Sequence, residues 1–559
     1  MNTRTHEFPH SRRYVSHVVA GLAMLFVLFL AAGLVLDPLF PRRVIPASAP
    51  PEAFSGERAM THLPIIAKEP HPQGSPGQAR VRDYLVEQLS ALGLETEVQE
   101  SRSLANVVAR MHGSSPTGAI VVLAHYDSVA AGPGAADNGS GVATLLETMR
   151  ALTSGPAPRN DIIALFDDGE ELPDPYSGAK LFVREHPWMD EVRVAISLDT
   201  AVGGPITTNE TGPKNGFLVG AMARAYTGGI WTSFSGGGNY DYTPFREAGI
   251  QGLALEDNYP FRQQHTRFDT LEIVNPGSVQ QMGEQTLAIV RELGDLDLSN
   301  PWGEHETWFS LPLLGLIHYP QAWALPLAIT AGVVLVLALG LGLWRGLLSW
   351  RGLCVGLVIA LITAAAVGYL TGAIFSLVPD LAGWDTHSWP EWPEVIPPNG
   401  ELYFAGLGLL ALVLVLVVYR LVRRWSKPPE LGLVILFPFL VAAVALSLAE
   451  PRTAYMPTWI VIIGSLAWIA VATTRKAQWV WSMDLAALLE AVGFIVILLP
   501  FLPGVFMSDG FKSITILAGF WTVILLATLS AFERTVMRLR RAFQASRPSA
   551  LSRMEIVEA

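Results

Sequence analysis

The sequence predicts an α/β domain, a mixed and mostly parallel sheet covered by helices, joined to a polytopic α-helical membrane domain. Two observations carry that reading. Apolar residues crowd the start of the chain and its last 240 or so residues, about enough for several bilayer spans. Between them, short β-branched runs repeatedly end in an acidic turn and are followed by helix-spaced apolar residues, the pattern of strands alternating with covering helices.

The chain has 559 residues, 51% of them hydrophobic, with a mean hydropathy of +0.36. That is too long for one ordinary domain and more apolar than a soluble protein. The formal net charge of −11 leaves no basic field for nucleic acid. Cys354 is the only cysteine, so no disulfide framework supports the fold.

Residues 1–13 hold Arg4, Arg12 and Arg13 and read as a cytoplasmic tail. Residues 14–36 are apolar for long enough to cross a bilayer. They read as a retained anchor rather than the competing cleaved signal peptide, whose apolar core would be shorter and for which no convincing small-x-small site precedes Asp37-Pro38. Residues 37–52 are proline-rich and read as a stiff linker to a domain spanning 53–300. There, residues 75–94 have Val81, Leu85, Leu89 and Leu92 at helical spacing, with Gly93 as the stop. Strands are expected at 95–100, 106–111, 120–124, 162–166 and 192–198.

The third of these strands organises the domain. It ends at His125 and Asp127, a Gly/Ala/Pro loop leads to Asp137-Asn138-Gly139-Ser140-Gly141, and a helix follows through Val142, Leu145, Leu146 and Met149. The edge outside the carboxyl ends of the strands is where open α/β sheets bind ligands. Imidazole and hard carboxylate oxygens suit zinc, and a carboxylate two residues after a ligand His can orient its ring. Alone, His-x-Asp is a weak pointer, and a strand-end His with a solvated Asp is the commoner explanation. Further groups follow at other strand ends: Glu170-Glu171, Asp199, and His265-Thr266-Arg267-Phe268-Asp269-Thr270.

That ordered set, from about 69 to 293, resembles the zinc-dependent exopeptidases typified by secreted bacterial aminopeptidases with two zinc ions. It is most similar to their membrane-bound branch in the endoplasmic reticulum and vacuolar membrane. Carried over residue by residue, the resemblance implies two Zn²⁺ per chain: His125 and Asp199 on one, Glu171 and His265 on the other, and Asp137 bridging both. It implies Glu170 as general base and Asp127 as the partner that holds His125.

Three departures bear on the pocket. Pro173-Asp174-Pro175-Tyr176 replaces a shorter turn after Glu171, and Gln264 stands where the family has Tyr before the last His. Tyr240 stands where it has Ser. The hydrogen-bond donor to the tetrahedral intermediate is therefore unassigned, with Tyr242 a candidate substitute. Gly236-Gly237-Gly238 reads as a flexible loop, and His71, His112 and His186 as ordinary surface or loop residues.

Residues 301–321 read as a second linker. Spans follow near 322–344, 353–377, 402–419, 430–449, 457–474, 484–502 and 513–532, a membrane domain of 322–533, then a basic cytoplasmic tail, 534–559. Arginine and lysine collect in alternate connections. With the anchor this gives eight spans, both termini cytoplasmic and the peptidase-like domain exoplasmic. The loop of Trp384, Trp389 and Trp392 reads most simply as an interfacial aromatic belt, with a cap over the peptidase-like domain as the alternative. Glu490 inside a span is a functional-site hypothesis by default, while Asp484, near a span end, has wetting as its simpler explanation.

The expected function is hydrolysis of small peptides by a membrane-anchored zinc exopeptidase, an aminopeptidase on the exoplasmic side, with the lipid bilayer as its other partner. Arginine in excess of lysine and an exported domain without cysteine favour a bacterial periplasmic face over an oxidising lumen. A transporter or scaffold with a non-catalytic outer domain is the alternative, and the complete ligand set with Glu170 weighs against it. A glutaminyl cyclase on the same fold, with one zinc, would not need His125. Nothing in the sequence speaks to oligomeric state.

Overall fold

A computed structural model describes residues 9–37, 40–229, 231–233, 240–257, 263–381, 400–422, 425–474, 479–502, 505 and 514–526. The chain divides into two compact units, one of residues 36–324 with 450–453, the other of residues 1–35, 325–449 and 454–559.

The first unit is built on seven strands: β1 (Glu95–Ser101), β2 (Leu104–Met111), β3 (Ala119–His125), β4 (Asp161–Asp167), β5 (Val192–Asp199), β6 (Ile206–Thr211) and β7 (Gln251–Asp257). Their order is β1-β2-β4-β3-β5-β7-β6. The central four, β4, β3, β5 and β7, run parallel, and β1, β2 and β6 pair antiparallel at the flanks. The sheet is thus mixed and mostly parallel at its centre, as the sequence predicts. Parallel alignment brings the carboxyl ends together, with His125 beside Asp167 and Asp199 beside Glu256 in register.

Five helices matter for the site: α1 (Pro76–Ala91), α2 (Gly141–Thr153), α3 (Ser177–Glu185), α4 (Gly216–Arg224) and α5 (Pro276–Asp295). Helix α1 starts where Ser75 accepts the Gln78 N–H, with Pro76 in the first turn, and it buries Val81, Leu85 and Leu89. Strand β3 is buried on both faces. Ile120, Val122 and Ala124 join the core formed with Val142, Leu145 and Met149 of α2 and Val279, Met282 and Ile289 of α5. Val121 and Leu123 join Phe182 of α3 and Phe245 on the other face. Each such side chain contributes about 1.5–3 kcal/mol on burial, so a continuous apolar run is what this central position demands.

Both stretches expected as linkers make specific contacts with this unit. The Ile45 N–H donates to Gln280 Oε1, and the Arg42 N–H to the Gly277 carbonyl, at the start of α5. Residues 301–321 contain an antiparallel hairpin, β8 (Glu306–Leu311) and β9 (Gly315–Pro320), whose Trp308 and Leu316 join the core with Leu218 and Val219 of α4.

Among the described residues, five helices are long and apolar enough to cross a membrane, all lying in the second unit but for the first four residues of the first: Gln321–Trp344, Trp350–Phe375, Leu402–Arg420, Pro429–Ala449 and Tyr455–Thr473. They coincide with the first five spans expected after residue 320. Shorter apolar helices occupy Leu22–Leu36, inside the helix Pro9–Leu36, and Ile514–Leu526. Trp479–Leu498 is a further helix, overlapping the span expected at 484–502. It carries Glu490, buried and accepting the Trp468 indole N–H at 2.8 Å, and Asp484, which is also buried rather than wetted. The loop of Trp384, Trp389 and Trp392, the Gly236-Gly237-Gly238 run and the basic tail lie outside the described residues.

Candidate metal centre

The parallel strands deliver their chemistry to one edge. His125 ends β3 and Asp199 ends β5. The turn after β4 carries Glu170 and Glu171, and the segment between β3 and α2 carries Asp137. His265 comes from the connection between β7 and α5. His125 Nε2 lies 3.3 Å from Asp137 Oδ1, and His265 Nε2 lies 3.2 Å from Asp137 Oδ2 and 3.1 Å from Glu171 Oε2. One candidate ligand atom from each of His125, Asp137 and Asp199 lies within 4.8 Å of the others, and the same holds for Asp137, Glu171 and His265. Asp137 belongs to both groups.

These residues suit divalent cations. Asp199 Oδ1 and Glu171 Oε1 are buried with no hydrogen-bond partner among the described residues. A carboxylate oxygen left so would be costly, and a cation at each triad would satisfy it. Three nitrogen and oxygen donors with a position left open is the donor set of a catalytic zinc.

The surrounding backbone fixes the ligands. Asp127 accepts the N–H groups of Gly169 and Glu170 on Oδ1, at 2.9 and 3.2 Å, and of Glu171 on Oδ2, at 3.3 Å. Its carboxylate thus holds the turn that presents both glutamates. His125 Nδ1 lies 3.2 Å from the Asp127 carbonyl and 3.7 Å from its carboxylate, so the backbone oxygen is the nearer acceptor for the ring, with the side chain beside it. Asp269 accepts from the Ala136 and Asp137 N–H groups at 2.7 and 3.2 Å, tying the bridging residue to the His265 loop. The two loops touch where a Cβ on Gly132 would stand 2.0 Å from the Thr266 carbonyl oxygen, a contact only glycine allows. Asp257 Oδ2 accepts three N–H groups, from Val202, Gly203 and Gly204, and so fixes the loop leaving Asp199. Thr200 and His265 both sit at positive φ, 34° and 56°, a cost of about 1–3 kcal/mol each that clusters at functional sites.

Electrostatically the edge is rich in carboxylates. Burial, reinforced by Asp241, Asp137 and Glu171 and opposed by His125, pushes the Glu170 carboxyl up to about 8. Burial together with Asp137 and Glu256 holds Asp199 well above the usual carboxylate range. Hydrogen bonds to Asp137 and Glu171 push His265 up to about 12. Burial works against the charged form of His125, yet Asp127 and Asp137 outweigh it and raise its pKa. All of these describe a site short of positive charge, which bound cations would supply.

Every residue expected at the site is therefore at this edge. Sequence reasoning missed three. Asp269 stands inside the His-Thr-x-x-Asp-Thr motif, which was a usable signal. Gln264, noted only as a departure, donates its amide to Asp137 Oδ2 at 2.9 Å. Asp257 gave no signal beyond being a strand-end carboxylate. Tyr242 does not qualify as a substitute donor: it is wholly buried and its hydroxyl donates to the Ile250 carbonyl. His71 and His186 stand in loops, as expected, but not at the surface. Both are buried, His71 with its N–H on Ser128 Oγ and His186 stacked on Phe182 and paired with Glu97, while His112 is exposed.

Residues 106–290 match the sequence profile of Peptidase family M28. The endoplasmic reticulum metallopeptidase 1 of Mus musculus is 30% identical over 243 residues, covering 39% of this chain and 26% of the relative. The vacuolar membrane protease of Candida albicans (strain WO-1) is 29% identical over 287 residues, 46% of this chain and 33% of the relative. The chain thus spans about a quarter to a third of the length of these relatives. Among solved structures, BSAP, a zinc aminopeptidase from Bacillus subtilis, aligns at TM-score 0.39 and 16% identity over 43% of this chain and 95% of that one. A Porphyromonas gingivalis glutaminyl cyclase aligns at TM-score 0.38 and 20% identity, over 43% and 99%.

Proposed function

With a Peptidase family M28 domain as the premise, we propose that this chain is a membrane-anchored zinc peptidase that releases amino-terminal residues from small peptides outside the cytoplasm. The observation that carries the proposal is the pair of donor triads sharing Asp137, with Glu170 beside Glu171 at the same edge.

His125 and Asp199 would hold one zinc ion, Glu171 and His265 a second, and Asp137 both. When bound, the two ions acidify a water and polarise the scissile carbonyl. Glu170 takes the proton of the attacking water and returns it to the leaving amine. Asp127 keeps that carboxylate in place by binding the Glu170 N–H, while Asp269 keeps the Asp137 backbone in place. The topology that fits is eight spans with both termini cytoplasmic and residues 53–300 exoplasmic, supported by the five long apolar helices and the alternation of arginine-rich connections.

The test is zinc analysis of the purified full chain with a panel of dipeptides, aminoacyl amides and amino-terminally blocked peptides. Bound zinc with cleavage only of free amino termini supports the proposal. Zinc without hydrolysis of any member sinks it, and conversion of amino-terminal glutamine to pyroglutamate in that case identifies a cyclase. Separately, a reporter after residue 300 should read as exoplasmic and one after Arg541 as cytoplasmic.

A further inference from the structure

The turn of the β8–β9 hairpin has a composition that water does not explain. From Leu311 to Ile317 the chain has no polar side chain, and the turn residues Leu313 and Leu314 are 88% and 69% exposed. Turn tips ordinarily use Gly, Asn, Asp or Ser, which tolerate left-handed backbone and keep the tip solvated. Here Leu313 itself sits at φ 67°, a conformation a leucine adopts reluctantly. The base of the same hairpin is firmly held. Trp308, Phe309 and Leu316 are buried, and the Ser310 N–H donates to the Trp231 carbonyl at 2.7 Å. A rigid support thus carries a bare apolar tip.

The covalent neighbour suggests what covers it. Strand β9 ends at Pro320, and the first long apolar helix begins at Gln321 with no spacer. At about 3.3 Å per residue the tip lies no more than about 23–26 Å along the chain from the helix start. Trp323, exposed in the first turn of that helix, is the residue type enriched at a membrane–water boundary. Two leucines fall far short of the about 800 Å² per partner that a stable protein interface needs. They are well suited to the headgroup and acyl boundary of a bilayer, where short apolar insertions bind by burying area.

We propose that the Leu313-Leu314 tip inserts into the interfacial layer of the bilayer that the next helix crosses, giving the peptidase domain a second point of attachment to lipid. This inference stands apart from the catalytic reading, because no proposed ligand or base lies in the hairpin.

The test uses the full chain in lipid nanodiscs. Cys354→Ala removes the only cysteine, and Leu313→Cys, with Leu314→Cys as a second variant, carries an environment-sensitive fluorophore. Glu100→Cys, exposed in β1, is the aqueous reference. The expected result is strong quenching of the tip label by nitroxide-bearing lipids and at least about threefold less quenching by iodide than at position 100. Iodide quenching equal to the reference, without lipid quenching, overturns the proposal. Protection from both quenchers overturns it too, and a disulfide-linked dimer through position 313 would then name a second copy as the cover.

Discussion

The two halves of the candidate metal centre are built differently. His125 and Asp199 end two neighbouring parallel strands, and their positions follow from the sheet itself; His125 is 1% exposed. His265 and Glu171 sit on connections, His265 is 29% exposed and held at positive φ, and both depend on carboxylates that grip backbone N–H groups, Asp127 for the glutamate turn and Asp269 for the loop contact. The strand-borne half is preformed by packing. The loop-borne half is assembled by polar contacts, so if each half binds an ion this one is expected to exchange it more readily and to be more sensitive to its surroundings.

The largest effect should come from the residue both halves share. Asp137→Ala removes the common anion, so zinc analysis should find neither ion retained and activity should fall at least about a thousandfold. Two ions still bound would break the bridging assignment. Glu170→Gln should keep full zinc content while lowering the rate about 10²–10⁴-fold, since it removes a base and preserves size; a rate within tenfold of the parent would defeat that role. Asp269→Asn turns one acceptor oxygen into a donor facing a backbone N–H, and should weaken zinc binding about 10–100-fold. Competition with a graded series of chelators reads this directly. If the apo protein's melting temperature falls instead and zinc affinity is unchanged, Asp269 is only a fold residue. The same competition on the unaltered chain should release zinc in two steps, and in His265→Ala the faster step should be lost while the slower one is unchanged. A single simultaneous release would erase the distinction between the halves. The smallest effect belongs to Tyr242→Phe, which loses one core hydrogen bond worth about 1 kcal/mol of stability and should leave turnover within about twofold.

Much of the site was legible because its ligands follow recognisable strand signals. The β-branched runs 120–124, 162–166 and 192–198 are strands, and each runs into the charged residues that matter. What lay across the chain was not legible. The hydrogen bonds from Asp127 to residues 169–171 and from Asp269 to residues 136–137 join segments about 42 and 132 positions apart. No local spacing announces a carboxylate that binds another segment's backbone. Residues 301–321 were read as a linker for a related reason, since Trp308 and Leu316 look like an ordinary apolar approach to a span until α4 is folded beneath them.

The sequence by itself determined the class of the domain, the order in which the metal-ligand types arrive, and five of the apolar helices, because period, strand-end composition and hydropathy are written locally. Only the tertiary structure decided which oxygen orients His125, that Asp127 serves the glutamate turn, that Tyr242 belongs to the core, and that the hairpin tip is bare. Those outcomes depend on which buried polar groups meet across the fold, and a buried donor or acceptor takes whatever partner packing brings within reach.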